Sequence, residues 1–142
     1  MRSDVRVVRM RVLLENEFVR VEEITDRHVI VLRRKALSAP AARIPAIYGE
    51  AFAGARAEWR EWGLVIDVRA VAGNNDPDFE SAMRPVRMQA VSLFGRVVVL
   101  VRSIAGRMQI ERTNRDDGTH IAVAQDEAEA ITLAQTRDDG FW

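Results

Sequence analysis

The run "GLVIDVRA" at 63–70 is short, almost wholly apolar and rich in β-branched residues. A strand of that kind must be covered on both faces, the condition met in parallel sheets with helices packed against them. A second such run, "RVVVLVRS" (96–103), follows one intervening segment later. That segment, "DPDFESAMRPVRMQAVSLFG" (76–95), places Phe79, Met83, Val86, Ala90, Leu93 and Phe94 on one helical stripe. It opens on the cap signal Asp76–Pro77, closes on Gly95 and carries Pro85 inside, where a kink is expected. Two buried strands joined by a helix make a crossover unit, and a crossover unit fixes a layered α/β arrangement.

The same alternation extends in both directions. Upstream, "SAPAARIPAIYGEAFAGARAEW" (38–59) repeats Ile44, Ile47, Tyr48, Ala51, Phe52 and Ala55 at helical spacing. Its helix is expected to start near Ile44, because Pro45 is tolerated only in a first turn. Downstream, "IAGRMQIER" (104–112) reads as a short helix capped by Ser103, "NRDDG" (114–118) as a turn and "HIAVA" (120–124) as a third short strand. "DEAEAITLAQ" (126–135) has Asp126 and Glu129 at capping-box spacing and closes the series. Before all of these, "VVRMRVLLE" (7–15) alternates, with Val8, Met10, Val12 and Leu14 expected on one half-buried face. "EFVRVEEI" (17–24) and "HVIVLRR" (28–34), joined by the turn "TDR", read as an antiparallel hairpin. The expected fold class is therefore α/β: a mixed, mainly parallel sheet with an antiparallel N-terminal hairpin and flanking helices. Residues 1–16 form an N-terminal strand or extension, 17–135 the domain and 136–142 a tail. Whether 1–16 pair into this sheet or into a second copy of the chain, as in a homo-oligomer, is left open.

Composition narrows the function classes. A chain of 142 residues fits one domain and buries roughly two thirds of its unfolded surface. There are no cysteines, which removes disulfides, thiolate metal sites and cysteine nucleophiles together. Lys+Arg and Asp+Glu are both 21, so no global field draws the chain to nucleic acid or to an anionic membrane. No run reaches the ~18 apolar residues of a membrane span. "MRSDVRVVRMRV" has no continuous apolar stretch of the signal-peptide kind, and a cytoplasmic location is expected. The closing Phe141 and Trp142 would be costly as bare surface, so they are expected to fold back or to meet a partner.

In an open α/β sheet the place for chemistry lies beyond the carboxyl ends of the strands, here Arg34–Leu37, Arg69–Asp76, Arg102–Gly106 and Ala124–Asp126. Asp67, Asp76, Asp78 and Glu80 crowd one of these ends. Asp76 nevertheless reads as a helix cap, with Asp78 and Glu80 as first-turn acids favoured by the helix dipole. No histidine lies near them, since His28 and His120 are the only two. No metal, cofactor or catalytic residue is expected, because no nucleophile has a base within reach in the pattern. Ser103 at a helix start, with Arg102 and Arg107, could hold a small anion. Trp59 and Trp62, just before the central strand, are expected to close the bottom of the core.

The element order and three local phrases carry a family resemblance. "GLVIDVRAV" resembles the central strand of the STAS domain, typified by the anti-anti-sigma factors of sporulation; "FGRVVVLVRS" resembles its next strand, and "HIAVAQDEAEAITLA" its closing strand and helix. The resemblance spans roughly 17–135 and is greatest to bacterial proteins described as STAS/SEC14-like. It implies a non-enzymatic regulatory or scaffolding module that offers the loop after the central strand, and the following helix, to a protein partner. The residues so implied are Asn74, Asn75, Asp76, Asp78, Arg84 and Arg87, with the two arginines exposed. The family's phosphorylated hydroxyl is missing: Asn74, Asn75 and Asp76 stand where it would be, and Ser81 lies more than a helical turn further on. SEC14-like relatives imply an alternative, a pocket for a lipid or other small ligand between a helix and the sheet. Met83, Met88 and Met108 are candidates to line it.

Overall fold

The computed structural model describes residues 10–71 and 77–135. They form β1 (Met10–Glu15), β2 (Val19–Ile24), β3 (Val29–Arg34), α1 (Ile44–Phe52), β4 (Gly63–Asp67), α2 (Pro77–Leu93), β5 (Arg96–Leu100), α3 (Ile104–Asp117), β6 (Ala122–Ala124) and α4 (Glu127–Gln135). The strands lie side by side in chain order, β1-β2-β3-β4-β5-β6. β1 and β3 both flank β2 antiparallel, and β3 to β6 run parallel to one another. This is the expected mixed sheet.

Period two then decides which core each side chain joins. Crossovers of one hand between strands laid in order place α1, α2 and α3 on the same face. Ile30, Leu32, Leu64, Ile66, Val97 and Val99 point to that face and pack with Tyr48, Phe52, Val86, Ala90 and Phe94. Val29, Val31, Val65, Val98 and Leu100 point the other way, onto Ala130 and Ala134 of α4. All five residues of β4 are buried, which is why its sequence is apolar without alternation. Each fully buried Leu, Ile or Val stabilises the fold by about 1.5–3 kcal/mol.

Two expectations need correction. The "NRDDG" segment is not a turn, because α3 continues to Asp117 and only Gly118, at φ 70°, leaves the helix. Tertiary partners hold the extra turn: Thr113 is buried, Asn114 bonds the backbone of Ile121 through both its amide and its carbonyl, and Asp117 meets two arginines of α2. β1 does not keep one apolar face either. Its register with β2 shifts between Val12 and Leu14, so Leu13 is a bulge. Leu14 pairs with Val21 and packs into the larger core, whereas Met10 and Val12 lie on the opposite face and are exposed. Val8 lies outside the described residues. β1 pairs with β2 of its own chain.

The amino end of the sheet is closed as expected. Trp59 is buried and stacked on Phe94 at 5.1 Å, and Trp62 is covered by His28 at 4.9 Å. His28 adopts φ 57°, a left-handed conformation that ends the 3-10 turn between β2 and β3. The Arg56 guanidinium lies over both tryptophans and bonds Glu23 at 2.9 Å. Burial pushes the Glu23 carboxyl up, but the bonds from Arg56 and Thr25 outweigh it and hold it below the usual value.

Candidate functional site

The carboxyl edge of the sheet carries two different environments, one on each face, because neighbouring residues in a strand point opposite ways. On the α4 side, Arg33 of β3 forms a fork to Glu127 at 2.7 and 2.9 Å. It also reaches Asp67 at 3.0 Å and Glu22 at 3.1 Å. Arg69 clamps Asp67 with its backbone N–H, Nε and Nη2, each at 3.0 Å. Burial raises the Asp67 carboxyl, yet the bonds from Arg69 and Arg33 win, and it lies below the ordinary carboxylate range. The Arg33 bond lowers Glu127 against the opposing effect of burial. This acidic cluster is a set of committed ions locked to arginines.

On the other side lies a cavity of about 540 Å³, between α2, α3 and the carboxyl halves of β3, β4 and β5. Ile66, Val68, Val99 and Val101 form its sheet wall, Phe79, Met83 and Val86 its α2 wall, and Met108 and Ile110 part of its α3 wall. Arg34 and Tyr48 also line it, and both are buried, at 4% and 1% exposure. The Arg34 guanidinium donates to Phe18 O and Leu37 O at 3.4 Å and to Tyr48 Oη at 3.5 Å. These contacts are long beside the ~2.7–2.9 Å of a charge-assisted bond, and all three acceptors are neutral. Burial raises the Tyr48 phenol pKa against the pull of Arg34. At the mouth, Arg102 and Arg112 are exposed, as is Met108.

α2 and α3 are tied together across the cavity by polar contacts. Gln109 donates to Glu80, and Arg87 bonds Asp117 at 2.8 Å with both side chains largely buried. Asp117→Ala would leave the Arg87 charge without its closest partner, so a loss of about 2 kcal/mol is expected. Urea unfolding checks it; an unchanged midpoint would mean that this tie contributes nothing.

The residues singled out in the sequence separate in space. Asp67 faces α4, whereas Glu80 bonds Gln109 of α3, so these two acids are not gathered. Ser103 caps α3, its hydroxyl accepting from the Gly106 N–H at 3.1 Å, and it stands with Arg102 at the cavity mouth. Arg107 instead leans to Gln125 at 3.4 Å. Asp78 and Arg84 are exposed on α2. Arg87 is not the exposed arginine expected: its side chain is only 12% exposed, because Asp117 and Glu80 hold it against α3. Asn74, Asn75 and Asp76 lie outside the described residues, as do Phe141 and Trp142. Met83 and Met108 line the cavity, and Met88 is 41% exposed away from it. Arg34 was missed as a site residue. The available signal was the pair Arg33–Arg34 at a strand end, where period two must send one guanidinium to each face.

No family profile matches the sequence, and no curated protein matches it. A solved structure does match: an uncharacterized protein of the DUF3478 family with a SpoIIAA-like fold, from Shewanella loihica PV-4. The two chains are 12% identical, the match covers 94% of this chain and 98% of the other, and the TM-score is 0.53. At that identity the likeness establishes the fold.

Proposed function

We propose that this SpoIIAA-like fold serves here as a non-enzymatic binding module that takes a small, mostly apolar ligand between α2, α3 and the sheet. The cavity carries the reading. Its volume of about 540 Å³ falls in the ~300–1,000 Å³ range of ligand pockets, and apolar residues make up the larger part of its walls. Three acids with displaced pKa lie outside the cavity, Asp67 and Glu127 on the α4 face of the sheet and Glu23 beside Arg56. Asp67, Glu127 and Glu23 are all held below their usual range by arginine contacts. A general base poised near neutral pH needs the opposite shift.

Native mass spectrometry of the purified full chain tests the reading, with Met83→Trp as the variant that fills the cavity from α2. A co-purifying small molecule is expected on the unaltered protein and not on the variant. A saturating ligand, at about a hundred times its Kd, should also raise unfolding free energy by about 2.7 kcal/mol. Protein mass alone, together with no stabilisation by any apolar ligand, would end the proposal.

A second reading has its own observation. Arg84 and Met88, one helical turn apart on α2, are both exposed, and Arg84 also meets Asp117 of α3. Such a face suits a protein partner in a regulatory role within a bacterial cytoplasm. Arg84→Glu and Met88→Glu should each weaken capture of that partner from a cell extract. Capture unaffected by both would remove α2 as the interface.

A further inference from the structure

We propose that the ligand of the cavity is a carboxylate with an apolar tail, its head seated on Arg34. The inference rests on the cavity reading above and adds the chemical class. A buried guanidinium is costly unless an anion meets it. Arg34 is buried, and no carboxylate lies within ion-pair distance of it among the described residues; its three hydrogen bonds go to neutral oxygens at 3.4–3.5 Å, and its guanidinium lies over the Tyr48 ring, 5.9 Å from the centroid. Arg33, the adjacent residue, gives the comparison. Its guanidinium meets three carboxylates at 2.7–3.1 Å. The cavity side of the sheet thus holds a cation whose counter-ion the described chain does not supply, at the wall of a space large enough for a ligand.

The geometry favours a carboxylate over a phosphate. One planar guanidinium matches one carboxylate, fork to fork, and the pair is neutral. A phosphate monoester brings about 1.5–2 negative charges, more than Arg34 alone neutralises; of the other lining guanidiniums, Arg87 is already paired with Asp117, and Arg102 and Arg112 are exposed at the mouth. Tyr48 Oη accepts from Arg34, so its own O–H remains to donate to the second side of the head group. From that end the apolar walls of α2 and α3 lead to a mouth at Arg102 and Met108. A linear or lightly branched chain fits such a path.

The test is titration calorimetry of the full chain with dodecanoate, dodecanol and dodecyl phosphate, each below its aggregation concentration. Dodecanoate should bind about ten- to hundred-fold more tightly than dodecanol, the worth of a charged hydrogen-bonded head. Arg34→Met should bring dodecanoate down to the affinity of dodecanol, while Arg115→Gln, an exposed position of α3 outside the cavity lining, keeps the preference. Equal affinity of dodecanoate and dodecanol on the unaltered protein would overturn the assignment without any variant having to fold. So would a preference that survives Arg34→Met, or tighter binding of dodecyl phosphate. If dodecanol binds and dodecanoate gains nothing, the head-group inference falls and the cavity reading stands. If none of the three binds, both fall.

Discussion

One added methyl group at residue 63 is expected to destabilise the fold by about 3 kcal/mol or more. Gly63 opens β4 directly against Ala134, near the end of α4. A Cβ there would stand 2.1 Å from the carbonyl oxygen of Ala134, 2.7 Å from its carbonyl carbon and 2.8 Å from its Cβ. The obstacle is backbone, so no rotamer change relieves it, and α4 must lift. α4 is also what Val29, Val31, Val65, Val98 and Leu100 pack against, so lifting it exposes the second core. Gly49→Ala is the control. It lies inside α1 with no atom within 4 Å of its added Cβ, and Ala is about 1 kcal/mol better than Gly in a helix. Urea unfolding should therefore move the two variants in opposite directions. A Gly63→Ala midpoint equal to that of the parent protein would mean that α4 does not approach β4 this closely.

The contrast between these glycines bears on what a sequence can disclose. Element order was legible because each element repeats its own period: β4 and β5 as unbroken apolar runs, α2 as a stripe from Phe79 to Phe94. Those signals are local. The errors arose where a distant partner decides. The bulge at Leu13 leaves the apolar alternation of 7–15 unchanged, yet it sends Met10 and Val12 away from the core that Leu14 joins. "NRDDG" has turn composition, but Asp117 bonded to Arg84 and Arg87 makes it the last turn of α3. The same contacts bury Arg87, which composition alone would leave in water.

The candidate site was half legible. Met83 and Met108 could be named as lining residues, and they do line the cavity. Met88 could not be separated from them without the helix phase: five residues beyond Met83, it points about 140° away around α2. Arg34 depended on more. Its charge is ordinary in a sequence; what marks it is burial without an anion, a property of the space around it rather than of the residue.

Arg33→Met is expected to cost about 2–3 kcal/mol at neutral pH, and the cost should shrink in acid. Arg33 meets Glu22, Asp67 and Glu127, so its removal leaves three carboxylates facing one another beside Arg69 and Arg20. Breaking a fully buried pair costs about 3–5 kcal/mol. The lower figure applies because Glu127 is 40% exposed and water screens it. The pH dependence follows from the direction of the shifts. Asp67 and Glu127 are held below their usual pKa in the folded protein. A group of that kind contributes stability above the unfolded carboxylate value, near ~4, and loses it as pH falls through the lower folded value. The parent protein should therefore weaken progressively below about pH 5. In Arg33→Met the downward pull on these acids is removed, so they protonate at higher pH and their mutual repulsion fades. The two stability curves should run parallel from neutrality to about pH 5 and converge below it, as these acids protonate. Urea midpoints of both proteins across that range decide the matter. A gap of constant size would mean that Arg33 acts through its packed alkyl stem, and that the carboxylates are satisfied without it.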